Sequence, residues 1–455
     1  MTKKNIILNE LKKNFLLYLF FLSVFLSLDT NFDNIKNIDI TNSKSIFLGI
    51  RFILPYCLLI FFIKKYFNKL NFRHDDVYVK ILLNLLFFSQ FLQIISTTLS
   101  DNNLFNLTFI FSFIMIILSI IVFDNINSLD KLYVFGLIIL TIITLIYSYI
   151  LIKWLIFDSF HLNLYGSWPH GTEAGRIFSN EVPRSSGLAR SSLLSLIPLS
   201  FFLLTTRIYK ITYLILYLVF LVLVFIILTT QSRVVLFCYG LGSLTLIIYS
   251  FQHFIQIKKK IAQIFLLIFL PIIIWYSIIE IKYYLQLETE IILTNKEKTE
   301  VSGYSGREMT EKLRTVDPKS FTSRRFIDWK DILDKNDRKF FGYGALGDRY
   351  LINQSASSTF FYSYASGGII SLLIFILLIL RSIFVNFQIV FKIEKKISDK
   401  NYMILSASFI QIFLIFRCFF ESSFAVFGID SIFFFITFFY SEKYYQKIIY
   451  DKKII

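Results

Sequence analysis

Long apolar segments alternate with short polar ones along most of the chain, and one polar stretch is far longer than the rest. Because a transmembrane helix needs about 20 mainly apolar residues, the apolar runs predict twelve spans. They lie near residues 15–28, 45–63, 81–98, 107–123, 132–152, 191–206, 211–228, 234–251, 261–280, 358–380, 402–416 and 427–440. We therefore expect an all-α polytopic membrane protein whose polar residues 281–357 form a large loop that contains short helices.

This pattern divides the chain into three segments: nine spans in residues 1–280, the loop in residues 281–357, and three spans with a tail in residues 358–455. Hydrophobic residues make up 56% of the 455 positions, which excludes an ordinary soluble fold. The three cysteines lie within or beside apolar runs without metal-ligand spacing, so a zinc site or a disulfide framework is not predicted.

The distribution of lysine and arginine predicts the orientation. With a cytoplasmic N-terminus, the inner segments carry 24 of these residues and the short outer segments carry 8. The positive-inside rule then places both termini in the cytoplasm and the loops 153–190 and 281–357 on the outer side of the membrane. Much of the net charge of +16 is thus explained by topology, and nucleic acid is not an expected partner.

Arginines at the predicted outer surface are candidates for anion binding. Arg184 and Arg190 precede or begin the sixth span, and Arg233 follows the seventh. A guanidinium forks two donors toward phosphate or carboxylate at any pH, which suits a lipid-linked diphosphate. The alternative is that each arginine reaches the lipid headgroups and anchors its helix.

Two features stand out in the long loop. Residues 323–333 predict an amphipathic helix with Phe326, Trp329 and Leu333 on one face, resting on the membrane surface or on the outer ends of the spans. The sequence from Gly342 to Gly347 has the form G-x-G-x-x-G. No βαβ unit surrounds it, which disfavours a dinucleotide site; it predicts a tight turn that admits a sugar or phosphate, or that joins two helices.

Other motifs narrow the chemistry by not occurring. The sequence has no Walker A motif and no H-E-x-x-H, which disfavours an ATP-driven pump and a zinc protease. Among the histidines, His170 lies on the predicted outer side and is a candidate general base, although a single loop histidine is usually only solvated.

Several short motifs resemble those of the O-antigen ligase and polymerase family of bacterial inner-membrane enzymes. They span roughly residues 180–435 and occur in the family's order: RSSGLARSS, TQSR, R-x-x-x-W followed by FFGYGALG, SASSTFFYSYASGG, and FRCFFESSFAVFGID. The resemblance implies a GT-C-like, all-helical membrane glycosyltransferase that takes its glycan from undecaprenyl diphosphate.

The resemblance also implies roles for individual residues. A hydroxyl of the acceptor sugar attacks the anomeric carbon and the lipid diphosphate leaves with inversion, without a metal or a cofactor. The residues that would hold the diphosphate or glycan are Arg184, Arg190, Arg233, Arg325, Arg417, Gly342, Gly344 and Ser357.

One departure separates two activities within the family. Ser357 and Ser358 stand where ligases carry His-Asn before the tenth span, which favours a polymerase of lipid-linked repeat units over a ligase. Glu173, His170 and Glu421 then remain as candidate bases. A chain-length regulator protein is an expected partner besides the lipid-linked donor and acceptor. A flippase for lipid-linked glycan is the alternative from another class, although its two related halves are not evident here.

Overall fold

The structure, a computed structural model, describes eleven stretches of the chain. These are residues 76–99, 107–125, 129–157, 185–205, 210–230, 233–253, 264–278, 323–353, 358–392, 399–421 and 424–453, together with the isolated positions Phe15, Leu19, Leu54, Cys57 and Ala356. About 90% of what is described is helix, and it contains no strand.

The helices of the described stretches are numbered here in chain order. They are α1 (Val77–Leu99), α2 (Leu107–Asn125), α3 (Leu129–Phe157), α4 (Ser185–Thr205), α5 (Lys210–Thr230), α6 (Arg233–His253), α7 (Phe265–Ile278), α8 (Ser323–Lys335), α9 (Gly347–Ile352), α10 (Thr359–Lys392), α11 (Asp399–Cys418) and α12 (Ile429–Lys453).

Within the described stretches, five helices are long and apolar enough to cross a membrane. Their apolar parts are Val77–Leu99, Leu129–Tyr149, Gly187–Leu204, Ile211–Thr229 and Thr359–Phe391. Each overlaps a predicted span, and four shorter apolar helices overlap four others. The prediction of an all-helical chain with membrane-compatible helices is therefore confirmed for the described residues. The first two predicted spans lie outside those residues, apart from isolated positions, and the total of twelve spans stays a prediction.

The chain divides into two compact units. One combines residues 1–143 with residues 322–455, and the other comprises residues 144–321. In the second unit, α4 packs along α5, and Tyr217 of α5 donates a hydrogen bond from its hydroxyl to the carbonyl of Leu266 at 2.6 Å. That carbonyl lies in a π-helical turn, Phe265–Phe269, and the residue five positions on is Pro271, which has no N–H to offer. The tyrosine thus satisfies a carbonyl that its own helix leaves unpaired.

In the first unit, α1 and α10 run antiparallel and are joined by polar contacts at three levels. Arg381 pairs with Asp76 just before α1, the hydroxyls of Ser89 and Ser371 are 2.7 Å apart, and Ser366 donates to Gln93 near the end of α1 at 3.2 Å. Helices α11 and α12 pack against each other and against α10, and α2 packs between α1 and α12. Serine and glutamine bonds between helices fit an apolar bundle in which few polar alternatives exist.

Helix α10 is broken near its N-terminal end. Gly367 and Gly368 have non-helical backbone angles, and the φ of Gly368 is +65°. The break divides α10 into a short first helix and a second one that continues to Lys392. Since an α-helical carbonyl accepts from the N–H four residues later, carbonyls just before the break lose their partners.

The segment between α8 and α9 supplies the missing partners. The side-chain amide of Asn336 donates to the backbone carbonyl of Tyr364 at 3.2 Å. The N–H groups of Tyr343 and Gly344 donate to the carbonyls of Ala365 and Ser366, both at 2.8 Å.

A further bond runs in the opposite direction across the same contact. The N–H of Ile369, just after the break, donates to the carbonyl of Lys339 at 2.8 Å. The loop is also held on α1, because Thr97 accepts from the N–H of Ala345 at 2.8 Å and Ser96 donates to the carbonyl of Phe341 at 2.7 Å. The G-x-G segment therefore closes the gap in α10 backbone to backbone.

Glycine is required where these backbones touch. A Cβ on Gly344, whose φ is +74°, would collide with the backbone of Thr97, and a Cβ on Gly368 would collide with the carbonyl oxygen of Phe340. Of the two sequence interpretations of the motif, the described geometry shows a turn between α8 and α9 that docks on a third helix.

Helix α8 covers the predicted amphipathic segment, and only part of its apolar face packs on protein. Asp328 and Ile332 are buried, and the Trp329 ring stacks on Phe361 of α10. Phe326 is 57% exposed and Leu333 is 50% exposed. The sequence left open whether the apolar face rests on the membrane surface or on the outer ends of the spans. An apolar face can turn toward lipid as well as toward protein, so hydrophobicity alone does not identify the packed side.

Replacing Gly368 by alanine is predicted to destabilise the protein by at least about 2 kcal/mol, because it adds a positive-φ cost and a clash with a backbone carbonyl. Gly240 is the matched control: it lies inside helix α6 with open space around its Cβ position, so Gly240→Ala is predicted to be neutral or slightly stabilising. Thermal unfolding of the detergent-solubilised protein measures both. Equal midpoints for the two variants would contradict the proposed role of the break.

Candidate functional site

A buried ion group joins the end of α11 to the start of α12. The guanidinium of Arg417, in the last turn of α11, donates to the carboxylates of Asp430 and Glu421. Arg417 is only 3% exposed, and Asp430 is buried with it. A buried charge of this kind is tolerated only when paired, and here one cation faces two carboxylates.

Glu421 is the more accessible of the two carboxylates. Its side chain is 29% exposed, against 3% for Asp430. Of the three sequence-derived candidate bases, it is the one that the described residues contain. Arg417 fixes the direction of the Glu421 carboxylate. The exposed part of the Glu421 side chain stays accessible to a ligand.

The start of α10 is tied to the same turn. The hydroxyl of Thr359 donates to the carbonyl of Glu421 at 3.0 Å, and the hydroxyl of Ser358 reaches the carbonyl of Cys418 at 3.4 Å. Ser357 itself lies outside the described residues. Its neighbour Ser358 contacts the turn that carries Glu421.

Arg325 lies beside that turn. Helix α8 places its guanidinium carbon 5.7 Å from the centre of the Phe420 ring, within cation–π range. Phe420 immediately precedes Glu421, and the N–H groups of both residues donate to the carbonyl of Arg417 at 3.0 Å. The structure therefore brings together three predicted site residues, Arg325, Arg417 and Glu421, at one place in the first unit.

The other predicted arginines belong to the second unit or are not described. Arg190 is half-buried in α4, and Arg233 is the first residue of α6. Arg184, together with the candidate bases His170 and Glu173, lies outside the described residues. For these residues the predicted roles stay predictions.

Gly342 and Gly344 are packed against protein backbone. The N–H of Gly342 donates to the carbonyl of Arg338 at 2.7 Å, and the N–H of Gly344 donates to the carbonyl of Ser366. A Cβ on Gly342 would come within 2.6–2.7 Å of the backbone around Ser366. Their predicted contact with a glycan stays untested, but their amide groups already have partners within the protein.

Sequence reasoning missed Asp348, the residue that directly follows the G-x-G-x-x-G motif. Its carboxylate accepts a hydrogen bond from the N–H of Ala356 at 2.8 Å, and the indole of Trp329 donates to the carbonyl of the same alanine at 2.9 Å. Asp348 is buried, and desolvation raises the pKa of its carboxyl group above the usual value. The signal in the sequence was an acidic residue at the start of a short helix, which usually indicates only a favourable helix terminus.

A second ion group, also missed, lies at the opposite end of the α1–α10 pair. Arg381 forms two bonds to the carboxylate of Glu442, at 2.7 and 2.9 Å, and one to Asp76 at 2.9 Å. The rings of Tyr78 and Tyr445 lie 5.4 and 5.7 Å from its guanidinium carbon. These contacts tie α1, α10 and α12 together and give this arginine a structural role.

The described residues contain no group of three or more histidine, cysteine or acidic side chains able to hold a metal ion. In comparisons with known proteins, no family model matches the chain and no curated protein matches it either.

Removing Asp430 is predicted to destabilise the protein more than removing Glu421. Asp430→Ala leaves the buried Arg417 with one partly exposed partner, and breaking a buried pair costs about 3–5 kcal/mol. Glu421→Ala leaves the buried partner in place, so its effect should be clearly smaller. Thermal unfolding of both variants in the same detergent tests this order, and a larger loss for Glu421→Ala would refute it.

The raised pKa of Asp348 predicts a pH-dependent effect of Asp348→Asn. Protonation of a group whose pKa is raised by folding stabilises the fold below the ordinary pKa, and that contribution is lost as the pH rises through the raised value. The asparagine keeps an acceptor for the Ala356 N–H without a buried charge. The variant should therefore be more stable than the wild type near neutral pH, and this difference in stability should shrink toward pH 4.

Melting temperatures across this pH range measure that difference. Asp348→Ala serves as the control, because it also removes the titrating carboxyl but leaves the Ala356 N–H without this acceptor; it should be less stable than Asp348→Asn by about 1–3 kcal/mol at every pH. A constant offset between Asp348→Asn and the wild type would show that the carboxyl does not titrate in the fold.

Proposed function

We propose that this protein is a membrane glycosyltransferase that polymerises glycan repeat units carried on undecaprenyl diphosphate, at the periplasmic face of the bacterial inner membrane. The proposal includes the topology derived from the sequence: twelve spans, cytoplasmic termini, and residues 281–357 on the periplasmic side. The described apolar helices support the membrane part of this proposal.

The carrying observation is the position of Glu421. Ser357 and Ser358 occupy the place where ligases of the resembled family carry a histidine, and that place adjoins the turn bearing Glu421. A carboxylate next to the position of a missing base can take over the proton transfer. The buried partner Arg417 keeps this carboxylate oriented.

The reaction follows from these groups. The acceptor hydroxyl oxygen forms a bond to the anomeric carbon of the donor as the bond from that carbon to the diphosphate oxygen breaks, and the diphosphate departs with the electron pair. Glu421 accepts the hydroxyl proton. Arg325, beside Phe420, stabilises the negative charge that develops on the leaving diphosphate. The diphosphate-binding roles that the resemblance implies for Arg233 and Arg184 stay predictions.

The experiment is a deletion strain complemented with variants, with surface glycan separated by length on gels. Arg325→Ala and Arg233→Ala should abolish long chains while the protein remains inserted, since one preorganised donor is commonly worth about 10² to 10³ in rate. Lys330→Ala, an exposed cation on the same helix as Arg325, is the matched control and should retain the ladder. Glu421→Gln should lose long chains, whereas Glu421→Asp should recover part of them.

The same gels separate the alternatives. Glycan that stops at one repeat unit in the deletion strain indicates a lost polymerase. Long chains stranded on the lipid carrier indicate a lost ligase, and single units held at the inner leaflet indicate a lost flippase. A normal ladder from both arginine variants would reject the proposed site.

A further inference from the structure

Four residues in the loop between α8 and α9 combine two cations with two exposed aromatic rings. Residues 338–341 read Arg-Lys-Phe-Phe. Phe340 is 66% exposed and Phe341 is 55% exposed, although their backbones lie against the break in α10. Adjacent phenylalanines with this much exposure need a non-aqueous neighbour, because contiguous apolar surface is rare on water-exposed protein.

The segment lies at the end of an apolar helix. The guanidinium of Arg338 donates to the carbonyl of Leu99, the last residue of α1, at 3.1 Å. Since α1 has the length and composition of a membrane span, its end marks the level of the membrane–water boundary on this side of the unit. Residues 338–341 therefore lie at that boundary.

The exposed rings continue a face that lipid would cover. Directly after the break, α10 exposes one apolar stripe at helical spacing, composed of Ile369, Leu373, Leu377, Leu380, Phe384, Phe387 and Phe391. The N–H of Ile369, the first residue of that stripe, bonds to the carbonyl of Lys339. Phe340 and Phe341 thus extend the stripe at its N-terminal end, next to two cations.

We propose that residues 338–341 form a membrane-interface anchor. Phe340 and Phe341 enter the outer edge of the acyl-chain region, while the charges of Arg338 and Lys339 lie at the level of the lipid phosphates. This arrangement of rings below and cations above is the one that protein segments adopt at membrane–water boundaries. The proposal is independent of the reaction assigned above.

Lipid fits this surface better than a second protein does. The core of a protein–protein interface is depleted in lysine, whereas Lys339 directly precedes the two rings. An anionic phosphate layer complements both charges, and the stripe on α10 leads without interruption from the rings along a spanning helix.

The anchor also connects the bilayer to the break in α10. The carbonyls of Lys339 and Phe341 bond to Ile369 and Ser96, so the segment that carries the rings also closes the backbone gap. Lipid contact on one side and helix contact on the other then hold the loop at a fixed height.

Photo-crosslinking of the full-length protein tests the anchor. Benzoylphenylalanine replaces Phe340 or Phe341 in separate variants, which are reconstituted in nanodiscs of phosphatidylethanolamine and phosphatidylglycerol, irradiated, and weighed intact by mass spectrometry. Leu373, in the middle of the α10 stripe, is the positive control, and Lys335, an exposed residue paired with Asp331, is the aqueous control. A melting curve for each variant confirms folding.

We expect a mass increase equal to one phospholipid at positions 340, 341 and 373, with little at 335. Cross-linking of positions 340 and 341 to a second copy of the chain, or to a peptide from residues 279–322, would show that protein covers the rings and would overturn the proposal. Unmodified protein at both positions alongside a lipid adduct at 373 would place the rings in water and overturn it as well.

Discussion

The first unit depends on satisfying the backbone groups that the break in α10 exposes. In hydrocarbon an unpaired carbonyl or N–H costs several kcal/mol, so an irregular backbone is stable only where protein supplies the partners. Here Asn336, Tyr343 and Gly344 of the loop after α8 donate to carbonyls before the break. The N–H of Ile369, after the break, donates to a carbonyl of the same loop. Because α1 holds the same loop, three distant parts of the sequence become one structure.

This dependence changes the meaning of the long polar segment. Its described part is not an appendage beside the spans, because α8 stacks Trp329 on Phe361 and the following loop completes a helix of the bundle. A substrate bound by α8 would therefore be held on a rigid support. The same contacts carry Arg325 to the turn of α11 that holds Arg417 and Glu421, which gives a cation and an oriented carboxylate fixed relative positions.

Pattern-based reasoning succeeded where one physical rule dominates. Apolar length alone locates the helices, since any spanning segment must satisfy its own backbone, and the bounds of α8 follow from local periodicity. It did not decide what the apolar face of α8 meets: Trp329 packs on Phe361, whereas Phe326 and Leu333 are exposed. It also failed for Arg381 with Glu442 and for Asp348, whose partners lie far along the chain or in irregular backbone. The pairing of Arg417 with two carboxylates was likewise not predicted, although all three residues lie in the motif FRCFFESSFAVFGID.

That pairing bears on how diphosphate could be held. Arg417 already faces two carboxylates, so binding a further anion there would repel Glu421 and Asp430 as strongly as it attracted the guanidinium. A cation whose charge is already balanced serves better to orient a carboxylate than to bind a leaving group. In the proposed reaction Arg325 therefore stabilises the charge on the leaving diphosphate, and Arg417 acts through Glu421. Binding of the diphosphate and orientation of the base are thereby assigned to different guanidinium groups.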